Sequence, residues 1–159
     1  MHDDDQLLDL VDMQEKKLWK RKSPATYEEI ESVEQRLGLR LPDGYRKLFL
    51  YSNGGEFAGS RARVSLFSLK DLTEFNPDPV WSHRIPGMII IGDDAGDFIF
   101  YCDPQDHLKR GAWAVFVVGK GAVSFAYSRY VAADAVHLCR RVINGDAILR
   151  EPYLNIVEK

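Results

Sequence analysis

Met88-Ile89-Ile90-Ile91-Gly92-Asp93-Asp94-Ala95-Gly96-Asp97-Phe98-Ile99-Phe100-Tyr101 is the stretch on which the fold turns. Two runs of β-branched and aromatic residues flank a connection of Gly, Asp and Ala, the composition of a hairpin turn between buried strands. Ala112-Trp113-Ala114-Val115-Phe116-Val117-Val118 supplies a third run of the same kind. Gly119-Lys120-Gly121 predicts another turn, leading to Val123 and Phe125 on a last strand. Connections this short require antiparallel neighbours, since parallel strands need crossovers of about a dozen residues or more.

Upstream the period is helical. Leu7, Leu10, Val11 and Leu18 predict an amphipathic helix from about residue 5 to residue 19, closed by the basic cluster Lys16, Lys17, Lys20, Arg21 and Lys22. Thr26 with Glu29 has the form of a capping box, and Gly38 supplies the left-handed residue that closes the helix it opens. Pro42 opens a third helix through Tyr45, Leu48 and Phe49, which Asn53-Gly54-Gly55 stops. Val64, Leu66 and Leu69 predict a short strand and then a helical turn near Leu72. The loop after it holds Pro77, Pro79 and Pro86, which exclude a central strand. A final helix is expected from about Ser128 through Val131, Ala135, Leu138 and Val142 to Asn144-Gly145, followed by a closing strand or strap over residues 148–157. The fold class is therefore α+β: one mainly antiparallel sheet flanked by N-terminal helices and a C-terminal helix. It is divided into a helical extension over residues 1–22 and a single domain with one core over residues 23–159.

The composition agrees. The chain has 159 residues, 45% of them apolar, and 21 basic against 24 acidic side chains give a net charge of −3. At roughly 150 residues a chain buries about 70% of its unfolded surface, enough for a core without staples. A charge of −3 does not suit a nucleic-acid binder, and two cysteines do not make a disulfide framework. Met1-His2-Asp3-Asp4-Asp5 carries acid where a secretory leader needs base, so the expectation is a cytoplasmic protein with Cys102 and Cys139 reduced.

Signatures of chemistry are missing. Gly119-Lys120-Gly121-Ala122 lacks the spacing of a phosphate loop. The four histidines are scattered, and the Asp93–Asp97 turn lacks the length and terminal glutamate of a calcium loop. Neither cysteine sits in a nucleophile motif, and no Gly-x-Ser-x-Gly elbow occurs. What remains is charge segregation. Residues 85–108 hold Asp93, Asp94, Asp97, Asp103 and Asp106 and no Lys, Arg or Glu, leaving −5 there and +2 elsewhere. Aspartate favours turns for reasons of its own. The same five also predict an acidic edge able to steer and hold a basic partner. Trp81 is either an aromatic anchor for that partner or a side chain folded back on its own core.

The segment Ile30-x-x-x-Glu34-x-x-Leu37-Gly38-x-x-Leu41-Pro42-x-x-Tyr45, followed by Asn53-Gly54-Gly55, resembles the opening signature of the SUKH superfamily, in its Smi/Knr group. Leu66-Phe67-Ser68-Leu69-Lys70-Asp71-Leu72, Ile91-Gly92-Asp93 and Gly96-Asp97 resemble that family's later motifs. The resemblance runs from about Tyr27 to Val142. It implies an α+β fold and a non-enzymatic protein-binding role, with no catalytic residues, no cofactor and no metal. Bacterial members look like immunity proteins that neutralise toxins of contact-dependent or polymorphic systems, many of them nucleases, and fungal relatives like cell-wall regulators. The expected partner is a cognate toxin domain, met by Asp93, Asp94, Asp97, Asp103, Asp106 and Trp81, with no direct nucleic-acid or membrane contact and a monomer or weak dimer as the acting species. The competing expectations are a small metal-dependent hydrolase using the acidic loop and a regulatory scaffold.

Overall fold

The computed structural model describes residues 18–149, and its centre is the hairpin quoted above. Seven strands form one antiparallel sheet in chain order: β1 (Trp19–Arg21), β2 (Gly55–Ala58), β3 (Arg63–Leu66), β4 (Ile89–Asp93), β5 (Phe98–Asp103), β6 (Ala114–Gly119) and β7 (Arg129–Ala132). The described helices are α1 (Tyr27–Leu37), α2 (Asp43–Tyr51), α3 (Leu69–Phe75), the short α4 (Pro79–Ser82) and α5 (Ala135–Ile143). The architecture is α+β, as the sequence predicts.

Alternation along the central strands sends side chains to two different cores. Ile89, Ile91, Phe100, Cys102, Val115 and Val117 face the helices, where Ile30, Tyr45, Phe49 and Leu138 meet them. Ile90, Ile99, Tyr101, Phe116 and Val118 face the other way, under Ile85, Met88 and Val123, with Trp81, Leu108, Phe125 and Tyr130 packed around them. The expectation of one core is thus corrected to two, one on each face. Strands β4, β5 and β6 are buried along almost their whole length, so neither face tolerates water.

The N-terminal helices follow from specific bonds. Thr26 Oγ1 accepts from Glu29 N at 3.2 Å and Glu29 Oε1 from Thr26 N at 3.1 Å, completing the capping box. Gly38, at φ 70°, closes α1 with its amide directed to Glu34 and Gln35 carbonyls. Glu34 then holds the extended connector into α2. Its Oε2 accepts from Leu41 N at 2.7 Å, and its Oε1 lies 3.3 Å from Arg46 Nη2, with both side chains largely buried. Beyond α2, Asn53 Oδ1 accepts from Leu69 N, and Gly54 (φ 82°) runs so close to Leu66 O that a Cβ would sit 2.7 Å from it. Asn76 ends α3 and ties it to the sheet. Its amide exchanges bonds with both backbone groups of Ile90, at 2.7 and 3.0 Å, where β3 pairs with β4 only at Asp93 and Gly92. A side-chain amide here substitutes for a strand.

Several expectations need correction. Of the helix expected over residues 5–19, residues 5–17 lie outside the described residues, and Trp19 opens β1 instead, opposite Phe57 with the rings stacked at 4.7 Å. Val123 and Phe125 do not form the last strand; 3-10 turns occupy Lys120–Ala122 and Phe125–Tyr127, and the strand is β7. The last helix does not begin near Ser128, because Ser128 Oγ bonds back to Ser124 O and the true cap is Asp134, which accepts from His137 N at 2.7 Å. Ile148 is buried in the helix-side core, and the strap expected beyond it falls outside the described residues from residue 150 onward.

Burial raises the thiol pKa values of Cys102 and Cys139, with Asp134 adding to the shift, and raises the hydroxyls of Tyr45 and Tyr101 likewise. The folded chain therefore keeps protons that the unfolded chain releases. Stability is fully present below the unfolded thiol value of about 8.5 and declines as pH rises past it. The urea midpoint is expected to fall between about pH 8 and pH 10, and neither thiol should react with a disulfide reagent at about pH 8 until the protein unfolds. Separately, Glu34→Ala is expected to cost about 3 kcal/mol, since it strands a mostly buried guanidinium and a backbone amide. Glu34→Gln, which keeps an oxygen for Leu41, should cost less; urea unfolding at constant m-value separates the two.

Candidate functional site

The β4–β5 turn is a rigid acidic tip. Asp93 Oδ1 accepts from Ala95 N at 2.9 Å, and Asp94 Oδ1 accepts from Gly96 N and Phe98 N at 2.9 and 3.0 Å. Ala95 sits at φ 63°, held there by these bonds. Asp97 is exposed and offers its carbonyl to Lys120 N at 2.7 Å, while Lys120 Nζ lies 3.9 Å from Asp93 Oδ2. Three carboxylates thus share one short turn at the end of the sheet, with Lys120 paired to Asp93 alone among them, and the turn has little conformational entropy left to lose on binding.

Asp103 and Asp106 are elsewhere. Asp103 is the last residue of β5, six residues long, and at about 3.3 Å per residue the strand places it roughly 17 Å from the tip, with Asp106 in the loop beyond. Asp103 is fully buried, with its two carboxylate oxygens accepting from His107 N (3.0 Å) and Leu108 N (2.7 Å), and its carbonyl accepting from Trp113 N (2.7 Å). Asp106 Oδ1 accepts from Gly111 N at 2.8 Å. These two are the hub of the β5–β6 loop. The structure brings Asp93, Asp94 and Asp97 together and sets Asp103 and Asp106 apart from them, so the segment's five charges do not make one edge.

Trp81 is half-buried and packs on the second face. Its carbonyl receives Arg84 N and Ile85 N, at the start of the loop that enters β4 at the end opposite the acidic turn. Nothing in the local residue pattern signals the backbone tension at that end. Asp106, Lys109 and Trp113 all adopt left-handed conformations, at φ 54°, 62° and 66°. Such residues cost of order 1 kcal/mol or more each and persist only where surrounding bonds over-determine them.

Little in the site resembles reactive machinery. A nucleophilic thiol needs a lowered pKa, and burial moves both cysteines the other way. Among the described residues no three His, Cys, Asp or Glu side chains are grouped to hold a metal ion. The enclosed space beside Tyr45, Cys102, Trp113 and Asp134 is about 20 Å³, the size of one water. A broader hollow of about 410 Å³ lies open to solvent along the end of α1, lined by Glu31, Gln35 and Arg40 among others. No described helix is long and apolar enough to cross a membrane.

Comparison with known proteins places these features. The model of the SMI1/KNR4 family (SUKH-1) matches residues 24–138, from two residues before the Thr26 cap to the middle of α5. The uncharacterized protein YnaB of Bacillus subtilis (strain 168) is 34% identical over 55 residues, which span 35% of this chain and 36% of that relative. With nearly the whole sheet and every described helix touched by the family match, the chain belongs to the SMI1/KNR4 (SUKH-1) family.

Proposed function

We propose that this protein is a non-enzymatic immunity protein, which binds a cognate toxin domain in the cytoplasm and blocks it, and that the β4–β5 turn is its leading contact. Family membership carries the reading: it supports an immunity-type or related role. The geometry supplies a means. A toxin that cuts nucleic acid must hold phosphates in a cationic cleft. A projecting turn bearing Asp93, Asp94 and Asp97, already rigid, matches such a cleft in charge and shape. Its field speeds encounter with a basic partner. Asp103, which is buried, Asp106 and Trp81 lie away from this turn and take no part in that contact.

Coexpression with the toxic C-terminal domain from a neighbouring reading frame is expected to restore growth, and the two proteins to copurify. Asp94→Asn with Asp97→Asn keeps an oxygen for the turn amides and removes two charges. The association rate at low salt should drop about tenfold, with a shallower salt dependence and a nearly constant dissociation rate. An unchanged association rate would remove the turn from the interface; failure of both rescue and copurification would remove the immunity role.

A further inference from the structure

The end of the sheet opposite the acidic turn carries the other sign of charge. Two loops meet there, residues 83–88 leading into β4 and residues 104–113 leading into β6. They touch, since a Cβ built on Gly87 would lie 3.4 Å from the His107 ring. Arg84, His107, Lys109 and Arg110 are all exposed. Of the acids in these loops, Asp103 is turned inward and Asp106 has one carboxylate oxygen on the Gly111 amide. Arg84, Lys109 and Arg110 therefore outnumber the partly exposed Asp106 by three to one.

Beside this basic rim is an apolar floor. Trp81 and Tyr130 pack against the second-face core while remaining half-exposed, and the Arg110 guanidinium lies 5.6 Å over the Tyr130 ring. Half-buried aromatics next to exposed basic residues make the composition of an interface centre and its rim. The 104–113 loop is rigid as well, because the Asp103 and Asp106 carboxylates hold the amides of His107, Leu108 and Gly111 around its left-handed residues.

We propose that the 83–88 and 104–113 loops, with Trp81 beside the first and Tyr130 beside the second, form a second docking surface whose partner is an acidic protein segment. It goes beyond the immunity reading, which uses the opposite end of the sheet, and stands whether or not a toxin is bound there. Charge decides the class of partner. A long polyanion such as RNA would extend past three cations into the field of a molecule with net charge −3 and an acidic tip about 17 Å away, whereas a short acidic segment ends within the patch.

The test uses the full chain, 15N-labelled, titrated with a deca-glutamate peptide at low salt. Amide shifts are expected at Arg84, at residues 107–110 and at Tyr130, with none at Asp93–Asp97. Arg84→Gln with Lys109→Asn removes two cations, and asparagine tolerates the left-handed position of Lys109. This variant should keep a native spectrum and bind the peptide about tenfold more weakly, while Asp94→Asn with Asp97→Asn binds it unchanged or more tightly. Should the double variant unfold, the single Arg84→Gln with a salt titration of the wild-type protein reads the same charge dependence. The proposal is overturned by an absence of shifts, by affinity indifferent to salt and to the cations, or by a single-stranded RNA decamer displacing the peptide at lower concentration than the peptide itself.

Discussion

Three central strands that are apolar on both sides impose a constraint on everything else in this molecule. An antiparallel sheet commonly leaves one face to water, but Ile90, Tyr101, Phe116 and Val118 make that impossible here. Leaving such side chains exposed would forfeit about 1.5–3 kcal/mol each, against a total stability of about 5–15 kcal/mol for a domain. Helices α1, α2 and α5 are committed to the other face. The second cover is therefore built from what the chain has left: the short α4, the loop into β4, the 3-10 turns after β6 and Leu108 from the β5–β6 loop. Segments that elsewhere move freely are fixed in place by packing.

That requirement explains where the aspartates go. Asp93, Asp94, Asp103 and Asp106 each accept backbone amides, because tight connections between buried strands leave donors that strands cannot satisfy. At the β4–β5 turn the carboxylates stay within reach of solvent and keep their field. At the β5–β6 loop Asp103 is enclosed, and the exposed positions pass to Lys109 and Arg110. One residue type, chosen for one backbone purpose, leaves an acidic end and lets the other become basic.

Legibility in the sequence followed the locality of each signal. Thr26 and Glu29 lie three residues apart, and Gly38 marks its own helix end, so α1 was readable. The β4, β5 and β6 runs are long enough for composition to declare them. Trp19–Arg21 is three residues long, and what makes it a strand is Phe57, far along the chain. The bonds of Asn76 to Ile90 depend on β3 ending early, which no residue near Asn76 announces. The acidic edge failed for a similar reason. Charges adjacent in sequence are separated in space by the length of β5, a distance that becomes visible only once β5 is recognised as a strand running between them. Trp81 lies on the core-facing side of its two readings while keeping part of its ring in solvent.

The residues that carry the family resemblance do structural work in this chain. Ile30, Leu41 and Tyr45 are buried, Glu34 clasps Leu41 and Arg46, Gly38 closes α1, and Gly54 passes a carbonyl too closely for any side chain. None of these six lies at either charged end of the sheet, whereas the later motif residues Asp93, Gly96 and Asp97 fall in the acidic turn itself. A motif of this kind therefore identifies the scaffold, and with it the class of role, without describing the contact surface. As proposed, partner choice falls to Asp94 and Asp97 at one end and Arg84 and Lys109 at the other, positions that lie outside both cores. A single scaffold can in this way meet different partners by altering its loop ends, while the Glu34 clasp and the doubly buried sheet stay as they are.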